Sequence, residues 1–312
     1  MKNKEVSIIL LNWNQWNETL DCIDSIFEQI IDIDFEIILV DNWSIDWSIE
    51  KIEKKYSSKI KIIKNKFNNL FAPANNQAYE ISKWEYIWVL NTDTILTSDC
   101  LSWMLDYLKN NSGYWAVTCK LLNKDMTTQY HIHRRFPTFT RLLFGLVYKR
   151  FKTKTNKPAV EYLYLDKTFD KDFDIEQAGW ACILIRNDIL DKIWWLFDEK
   201  KFPLFYNDVD LSYRIWKNGY KIRFLWNYSL VHLKWQSTWK LNFFWTIKYI
   251  VISSLLFFKK HDLYLDYIFT KLSFILLFII LNIWAIILFI LWKITILELK
   301  ERFNLLVKVL YI

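Results

Sequence analysis

The sequence predicts an α/β fold, a mainly parallel sheet with helices on both faces, continued by a hydrophobic helical segment at its C-terminal end. Two patterns carry that prediction. From Glu5 to about Asn123 short apolar runs alternate with stretches of helical period, the signature of strand–helix–strand crossovers. Between Lys271 and Lys293 the chain then runs for 21 residues without a charge, "LSFILLFIILNIWAIILFILW", long enough to cross a bilayer.

The first strand reads as "EVSIILLN", and it leads into "NETLDCIDSIFEQI", where Leu20, Ile23, Phe27 and Ile30 repeat at helical spacing. The alternation returns in "FEIILVDN" before "SIEKIEKKY", in "KIKIIKN" before "APANNQAYEIS", and in "YIWVLNTD" before "SDCLSWMLDYLKN". In such a sheet ligands sit beyond the carboxyl ends of the strands. The polar residues that follow the runs are therefore site candidates: Asn12 and Asn14, Asp41 and Asn42, Asn91 and Asp93.

From about Lys124 to Asp174 the periodicity fades into basic and aromatic sequence, read either as a surface connection or as a flexible region that meets a variable partner. Order returns with "IEQAGWACILIRNDIL", a strand and a helix start. In "FYNDVDLSYRIWKNGYKIRFL", Asn207 or Asp208 can cap a helix over about Val209 to Lys217, which Gly219 ends. Past residue 240, "FFWTIKYIVISSLLFFKK" is apolar but interrupted by Lys248, which suits a helix lying in a membrane interface. The division expected is a main domain over 1–240 and a membrane-associated helical tail over 241–312. If the uncharged run were a single span with the main domain in the cytosol, Lys293, Lys300, Arg302 and Lys308 would lie outside, against the positive-inside rule. A re-entrant hairpin, or a helix resting on the membrane, removes that conflict.

Composition adds an anomaly. A chain of 312 residues at the usual glycine frequency of about 7% should hold about 22 glycines. This one has 4 glycines and 18 tryptophans, which together make that number. The expectation is that most of the tryptophans are UGA codons read as glycine in the source; abundant Ile, Lys and Asn suit an AT-rich genome. The stretch "VDNWSIDWS", Val40 to Ser48, shows the difficulty: its Asp, Asn and Ser residues favour a tight turn, where an indole supplies none of glycine's conformational freedom. The alternative is a genuinely tryptophan-rich, membrane-interface protein.

The net charge of +7 is spread along the chain without a block of five or six like charges. That favours an anionic membrane surface or anionic ligand over a nucleic-acid arm. Cys22, Cys100, Cys119 and Cys182 lie far apart, and "MKNKEVSIIL" does not read as a signal peptide. They are expected as small buried hydrophobes in a reducing compartment. His131 and His133 read as a surface strand pair in preference to a metal site.

Some polar residues carry chemistry. Asp93, after a strand in "VLNTDT", can hold Mg²⁺ or Mn²⁺ or can simply cap a turn. Asp41 can accept hydrogen bonds from a base or ribose, or serve its own turn. Asp208, at a helix N-terminus that favours its ionised form, is suited to be a general base, whereas Asp210 is placed to pair with Arg214 one turn on.

In order along the chain, "VSIILLNWNQWNETLDCIDSI", "EIILVDNWSIDWS", "NNLFAPANN", "YIWVLNTDT", "GWACILIRNDILDKIWWLFDE", "FPLFYNDVDLSYRI" and "VHLKWQSTWK" resemble the successive motifs of family 2 inverting glycosyltransferases. The nearest likeness is to bacterial rhamnosyltransferase-like members of the GT-A fold. The resemblance runs from Val6 to Lys240 and implies a Rossmann-like mixed sheet whose 1–123 half binds the nucleotide-sugar and whose 124–240 half serves acceptor and catalysis. It places Asp41, Asn42, Asn12, Asn14, Asn75 and Asn76 around the donor and makes Asp93 the ligand of the cation that bridges the diphosphate. Asp208 becomes the catalytic base, in Asn207-Asp208 where many members have Glu-Asp. His232 and Ser237 match a late His-x-x-x-x-Ser motif that closes over the diphosphate or assists the metal. The family pattern also has glycine where this chain has Trp43, Trp47, Trp115, Trp180, Trp194 or Trp195, Trp235 and Trp239. Trp13, in "LNWN", is normal for it. Leu70 and Ala74 depart from common glycines in the donor loop.

The implied partners are a nucleotide-sugar donor and a saccharide or lipid-linked acceptor at the cytoplasmic face of a bacterial membrane, without nucleic acid. Two rivals differ in class. A sugar nucleotidyltransferase would need an N-terminal Gly-rich phosphate loop, which "IILLNWNQWNE" lacks. A non-catalytic, membrane-associated carbohydrate-binding protein would require the tryptophans to be real.

Overall fold

The computed structural model describes residues 5–130, 132–151, 157–179, 181–233, 243–290 and 295–312. His131, Trp180, Trp235, Ser237 and Trp239 fall outside them. The chain divides into two compact units, Met1–Phe136 with Phe144–Lys240, and Pro137–Leu143 with Leu241–Ile312.

The first unit is built on one sheet. Strands β1 (Val6–Asn12), β2 (Phe35–Asp41), β3 (Lys61–Lys64) and β4 (Tyr86–Asn91) alternate with helices α1 (Trp16–Gln29), α2 (Ser48–Tyr56) and α3 (Phe71–Ile81). There follow β5 (Thr94–Leu96), α4 (Cys100–Asn110) and β6 (Tyr114–Leu122), then α5 (Phe139–Phe151), α6 (Lys157–Tyr162) and β7 (Phe173–Ile175). The order closes with β8 (Cys182–Arg186), α7 (Asn187–Leu190), α8 (Asn207–Lys217) and β9 (Lys221–His232).

The strands lie side by side as β3-β2-β1-β4-β8-β6-β9-β5, with β7 on β9. Pairing is parallel from β3 to β4, but β8 runs antiparallel between β4 and β6, and β5 and β7 run antiparallel to β9. The sheet is therefore mixed. Alternation of side chains divides each central strand between two buried layers. Val6, Ile8 and Leu10 of β1 join Ile37 and Leu39 of β2 and Trp88 and Leu90 of β4 on one face. Ile9, Ile38, Val40, Ile87 and Val89 pack on the other. Both faces are covered, which is why these strands read as continuous apolar runs.

Strand order reverses at β1, which pairs with both β2 and β4, and in sheets of this kind ligands bind beyond the carboxyl ends at that point. The register brings Asn12 beside Asp41 and Leu11 beside Asn91, so the candidate residues share one edge.

The weakly patterned region holds two helices, α5 and α6. Thr138 caps α5 by accepting from Arg141 N at 3.2 Å, and the preceding Pro137 sets the chain direction. Helix α8 starts two residues before the expected Val209; its cap is Tyr206 in the left-handed region, and Gly219 ends it with φ +82°. His133 is not on a surface strand. It is buried, and its Nδ1 accepts from Gly179 N at 3.1 Å. All four cysteines are buried and free, with burial pushing the Cys22 thiol up to about 12.

Among the described residues, eleven non-glycine positions have positive φ, and four of these are tryptophans: Trp43, Trp47, Trp194 and Trp195. Trp47 is 69% exposed and Trp194 87% exposed. Trp13 does not share this backbone. Trp115 lies at an irregularity in the β6–β9 pairing, its ring centroid 3.2 Å from that of Tyr220, tighter than the ~4.5 Å lower limit of ordinary ring pairs. Leu70, at φ 67° and ψ −177°, holds a conformation that is essentially glycine's own.

The second unit contains α9 (Phe243–Lys260), α10 (Tyr264–Ile290) and α11 (Ile296–Tyr311). Helix α10 is long and apolar enough to cross a membrane, and Leu276, Ile279, Ile283 and Trp284 are exposed on it. It does not stand alone. Val251 and Leu255 of α9, Phe278 of α10, and Leu305 and Val309 of α11 form one buried cluster. Thr295 and Glu298 build a reciprocal capping box that starts α11. With so short a connection, α11 returns along α10.

Candidate active site

The corner formed by β1 and β2 is polar and closed. Asn12 Nδ2 donates to Asp41 Oδ1 at 2.8 Å, to Ser48 Oγ at 2.8 Å and to Ser44 Oγ at 3.0 Å, while its Oδ1 accepts from Thr19 at 2.8 Å. Asp41 Oδ2 accepts from Ser44 N at 3.2 Å. Asn14 holds the same turn from the other side, its backbone N on Ser44 Oγ and its Oδ1 accepting from Ile45 N at 2.7 Å. Asn42 ties β2 to the donor-side loop: it donates to Asn68 Oδ1 and Leu70 O and accepts from Asn65 Nδ2 and Asn69 N. On α3, Asn75 bonds Phe71 O, and Asn76 holds Phe197 by both its N–H and C=O groups and donates to Glu199. These asparagines shape the rim by bonding protein groups.

The corner beyond β4 differs. Asp93 sits in the tight turn between β4 and β5, and its carbonyl accepts from Leu233 N at 2.8 Å. Its Oδ1 lies 3.4 Å from Nε2 of His232, the last residue of β9, which pairs with Thr94 across the sheet. The other ring nitrogen, Nδ1, meets Gln129 Oε1 at 3.0 Å. Ser237 lies outside the described residues. Among these, no three His, Cys, Asp or Glu side chains gather as a metal cluster.

Asp208 stands in the first turn of α8, half-buried, where the helix dipole favours a carboxylate. Its Oδ1 accepts from Val209 N at 2.8 Å and its Oδ2 from Gln177 Nε2 at 2.9 Å. Gln177 backbone-pairs with Arg134, and four residues later Ala181 O accepts from Asn91 N at the end of β4. One segment thus links the Asp208 carboxylate to the strand that presents Asp93. Burial works against the Arg134 guanidinium, yet Tyr162 and Asp208 beside it hold it above its ordinary range. Asp210, two residues on, is sealed by Arg214, which donates to it at 2.8 Å and to the carbonyls of Ile193, Trp195 and Leu196.

Sequence reasoning missed Gln129, Gln177 and Arg134. Gln177 precedes the apolar strand β8, whereas the candidates were sought after strands. Gln129 and Arg134 fall in the stretch without periodicity, and only tertiary pairing reveals them.

The chain matches the sequence profile of Glycosyl transferase family 2 over residues 7–193. It is 29% identical over 113 residues to a poly(ribitol-phosphate) beta-glucosyltransferase of Bacillus spizizenii, a match that covers 35% of this chain and 18% of that protein. The chain therefore spans less than a fifth of the length of that curated relative. Its structure is similar to GalNAc-T7 crystallised with UDP, GalNAc and Mn²⁺, at TM-score 0.56 and 13% identity over 76% of this chain and 44% of the other. It is similar to the mannosyltransferase PcManGT of Pyrobaculum calidifontis in complex with GDP-Man and Mn²⁺, at TM-score 0.55 and 13% identity over 84% and 65%. The S. aureus TarS 1-349 structure gives TM-score 0.53 and 13% identity over 81% and 64%. With a mixed sheet, a long apolar C-terminal helix and a profile match over more than half its length, this chain belongs to glycosyl transferase family 2 and has the GT-A fold.

Proposed function

We propose that this protein transfers a sugar from a nucleotide-diphosphate donor to a cell-surface polysaccharide or lipid-linked acceptor, with inversion of the anomeric centre and with Mg²⁺ or Mn²⁺ as cofactor. The observation that carries the reading is the pairing of Asp93 and His232 at the carboxyl edge, joined through one chain segment to Asp208. A carboxylate and an imidazole are suitable ligands for Mn²⁺. A cation held by Asp93 and His232 would neutralise charge on the departing diphosphate.

Asp208 accepts the proton of the acceptor hydroxyl, which attacks the anomeric carbon from the face opposite the nucleotide; the sugar–phosphate bond breaks as the new glycosidic bond forms. Gln177 holds one oxygen of Asp208 and so orients it. Asp210 is engaged with Arg214, so this helix turn offers a single base, in keeping with one displacement and inversion. The motif resemblance favours a rhamnosyl donor and the Bacillus relative a glucosyl one; dTDP-, UDP- and GDP-sugars offered to the purified chain distinguish them. Transfer with inverted anomeric configuration, read by NMR of the product, supports the proposal. Pyrophosphate release from a nucleoside triphosphate and a sugar phosphate would replace it with the nucleotidyltransferase reading. Asp93→Ala is expected to abolish cation-dependent donor binding; undiminished, cation-independent affinity would refute the ligand role.

The exposed apolar surface of α10 supports an acceptor held at the cytoplasmic face of the membrane. Helix α11 packs back against the middle of α10, where Leu305 and Val309 meet Phe278, so the tail lies alongside α10, in keeping with a hairpin or a helix resting on the membrane. Release by carbonate is the outcome expected of such a hairpin, and complete retention would favour a span.

The recoding of UGA as glycine, at 43, 47, 180, 194 or 195, and 235, belongs to the same proposal. It is supported by the positive φ of Trp43, Trp47, Trp194 and Trp195. Trp88 contrasts with them: it is fully buried, and its Nε1 donates to Cys182 Sγ at 3.2 Å. Peptide mass spectrometry on the native protein is expected to give glycine masses at 43 and 47 and a tryptophan mass at 88. Tryptophan at 43 and 47, or UGG codons there, would restore the carbohydrate-binding alternative.

A further inference from the structure

We infer that Gln129 is a positioning residue that fixes the tautomer of His232, so that its Nε2 presents a lone pair to the cation shared with Asp93. The inference rests on the cation reading above, and the hydrogen bonds of one buried amide carry it.

Gln129 is buried just past β6. Its backbone N donates to Leu121 O at 2.8 Å, which anchors the residue to the sheet. Its Nε2 donates to two carbonyls, Leu122 O at 3.0 Å and His232 O at 2.5 Å. Turning the amide over would set its oxygen against both carbonyl oxygens, so the orientation is determined. Oε1 therefore faces His232 Nδ1 at 3.0 Å. An amide oxygen only accepts, hence Nδ1 must carry the hydrogen.

In a neutral imidazole the remaining nitrogen then has a lone pair and no proton. That nitrogen, Nε2, points at Asp93 Oδ1 from 3.4 Å. Two acceptors facing each other at that distance repel unless a proton or a metal cation lies between them, and the proton would make His232 an imidazolium paired with Asp93. Two ligands at right angles on a cation with bonds of about 2.1–2.2 Å stand about 3 Å apart, so a small adjustment of either side chain makes a pair of ligands. A histidine that ligates a metal commonly donates its other N–H to a carbonyl, which fixes ring and tautomer. Gln129 supplies that carbonyl, and the same amide clamps the His232 backbone, so ring and main chain are held by one side chain.

The chain contains its own control. Of its four histidines, His133 accepts at Nδ1 from Gly179 N at 3.1 Å, which requires the opposite tautomer with the hydrogen on Nε2. Two-bond ¹H–¹⁵N spectra of the full chain with ¹⁵N-labelled histidine distinguish the two tautomers by which ring nitrogen is bare. At pH 8 and without metal, the pattern expected for His232, assigned by its loss in His232→Asn, is Nδ1 protonated and Nε2 bare, with the reverse for His133. A protonated Nε2 on His232 overturns the inference.

Adding Mn²⁺ alone should then broaden the His232 resonances in the parent chain and leave those of the Asp93→Ala variant sharp. Gln129→Met keeps the side-chain length and removes the acceptor. It is expected to move the hydrogen toward Nε2 and to weaken Mn²⁺ binding by about 10–100-fold. Restoring an oxygen in Gln129→Glu should return the Nδ1–H pattern. If Mn²⁺ binds through Asp93 while His232 carries its hydrogen on Nε2, the role of Gln129 fails and the cation reading stands. If Nδ1 carries the hydrogen but Mn²⁺ leaves His232 unaffected, the cation reading fails and this inference falls with it.

Discussion

Asp208 and Asp210 stand two residues apart in the first turn of one helix, with the same side chain and the same helix dipole, yet their surroundings differ, and so does the work proposed for each. Asp210 is 0% exposed and bound to Arg214, whose remaining donors hold the carbonyls of Ile193, Trp195 and Leu196. Asp208 is half-buried, its Oδ2 accepts from the amide of Gln177, and the Arg134 guanidinium lies beside it. A carboxylate sealed against a guanidinium in the interior is out of reach of an acceptor; Asp208, which also has the Arg134 guanidinium beside it, is set apart by its partial exposure. What separates the two here is burial, not the residue type.

The largest effect expected follows from the first of the pair. Asp208→Asn should lower turnover by about 10²–10⁴-fold while donor affinity stays close to the parent, because the new amide oxygen can still accept from Gln177. Steady-state kinetics beside a donor-binding isotherm checks it, and unchanged turnover would remove Asp208 as base. The second member should behave inversely. Asp210→Asn leaves the Arg214 charge buried and is expected to cost about 3–5 kcal/mol of stability, read by urea unfolding, with turnover per folded molecule preserved. A variant that unfolds normally but no longer turns over would break the comparison.

That distinction was half legible beforehand. The i, i+4 spacing of Asp210 and Arg214 and the place of Asp208 near the start of a helix can be seen in the chain, though the cap proved to be Tyr206; so can the alternating runs that became β1 to β4. What could not be seen is where a hydrogen bond returns from a distant strand. Asn12 and Asn42 stood out as possible ligand contacts because they follow strands, yet their capacity is taken up by Asp41, Ser44, Ser48, Asn65 and Asn68. Gln177 and Gln129 carried no local signal because their partners lie 31 and 103 residues away in the chain. Helix α5 was hidden for another reason: basic and aromatic residues interrupt its apolar spacing, and only Thr138 marks its start.

His133 extends the comparison to a group that can exist in either charge state. Burial lowers its imidazole from 6.5 to about 4, so the folded state keeps it neutral while an unfolded chain would protonate it below about 6.5. Between those values the unfolded state binds more protons, and stability rises with pH. It is therefore fully present above pH 6.5 and lost as the pH falls toward 4. Going from pH 7 to pH 5 should cost about 2 kcal/mol through this residue. Denaturant unfolding at the two pH values measures it, and His133→Gln should flatten the slope; an unaltered slope would assign the acid sensitivity to the carboxylates.

The smallest effect tests the same rule on side chains without charge. Trp88 is fully buried, with its Nε1 satisfied by Cys182, whereas Trp47 is 69% exposed and holds φ +63° at the cap of α2. A non-glycine residue in the left-handed region costs about 1–2 kcal/mol. Glycine there relieves that cost but gives back about 0.5–1 kcal/mol through the freer unfolded chain. Trp47→Gly should therefore stabilise the protein by about 0.5–1 kcal/mol, a rise in melting temperature of a few degrees at most. An indole that contributed packing would produce a loss instead, and a fall in melting temperature would mean that this turn had adapted to tryptophan. A rise, in a position where removing a large aromatic ordinarily destabilises, would fit a backbone shaped for glycine and would tie the conformational anomaly at residue 47 to the glycine deficit of the whole chain.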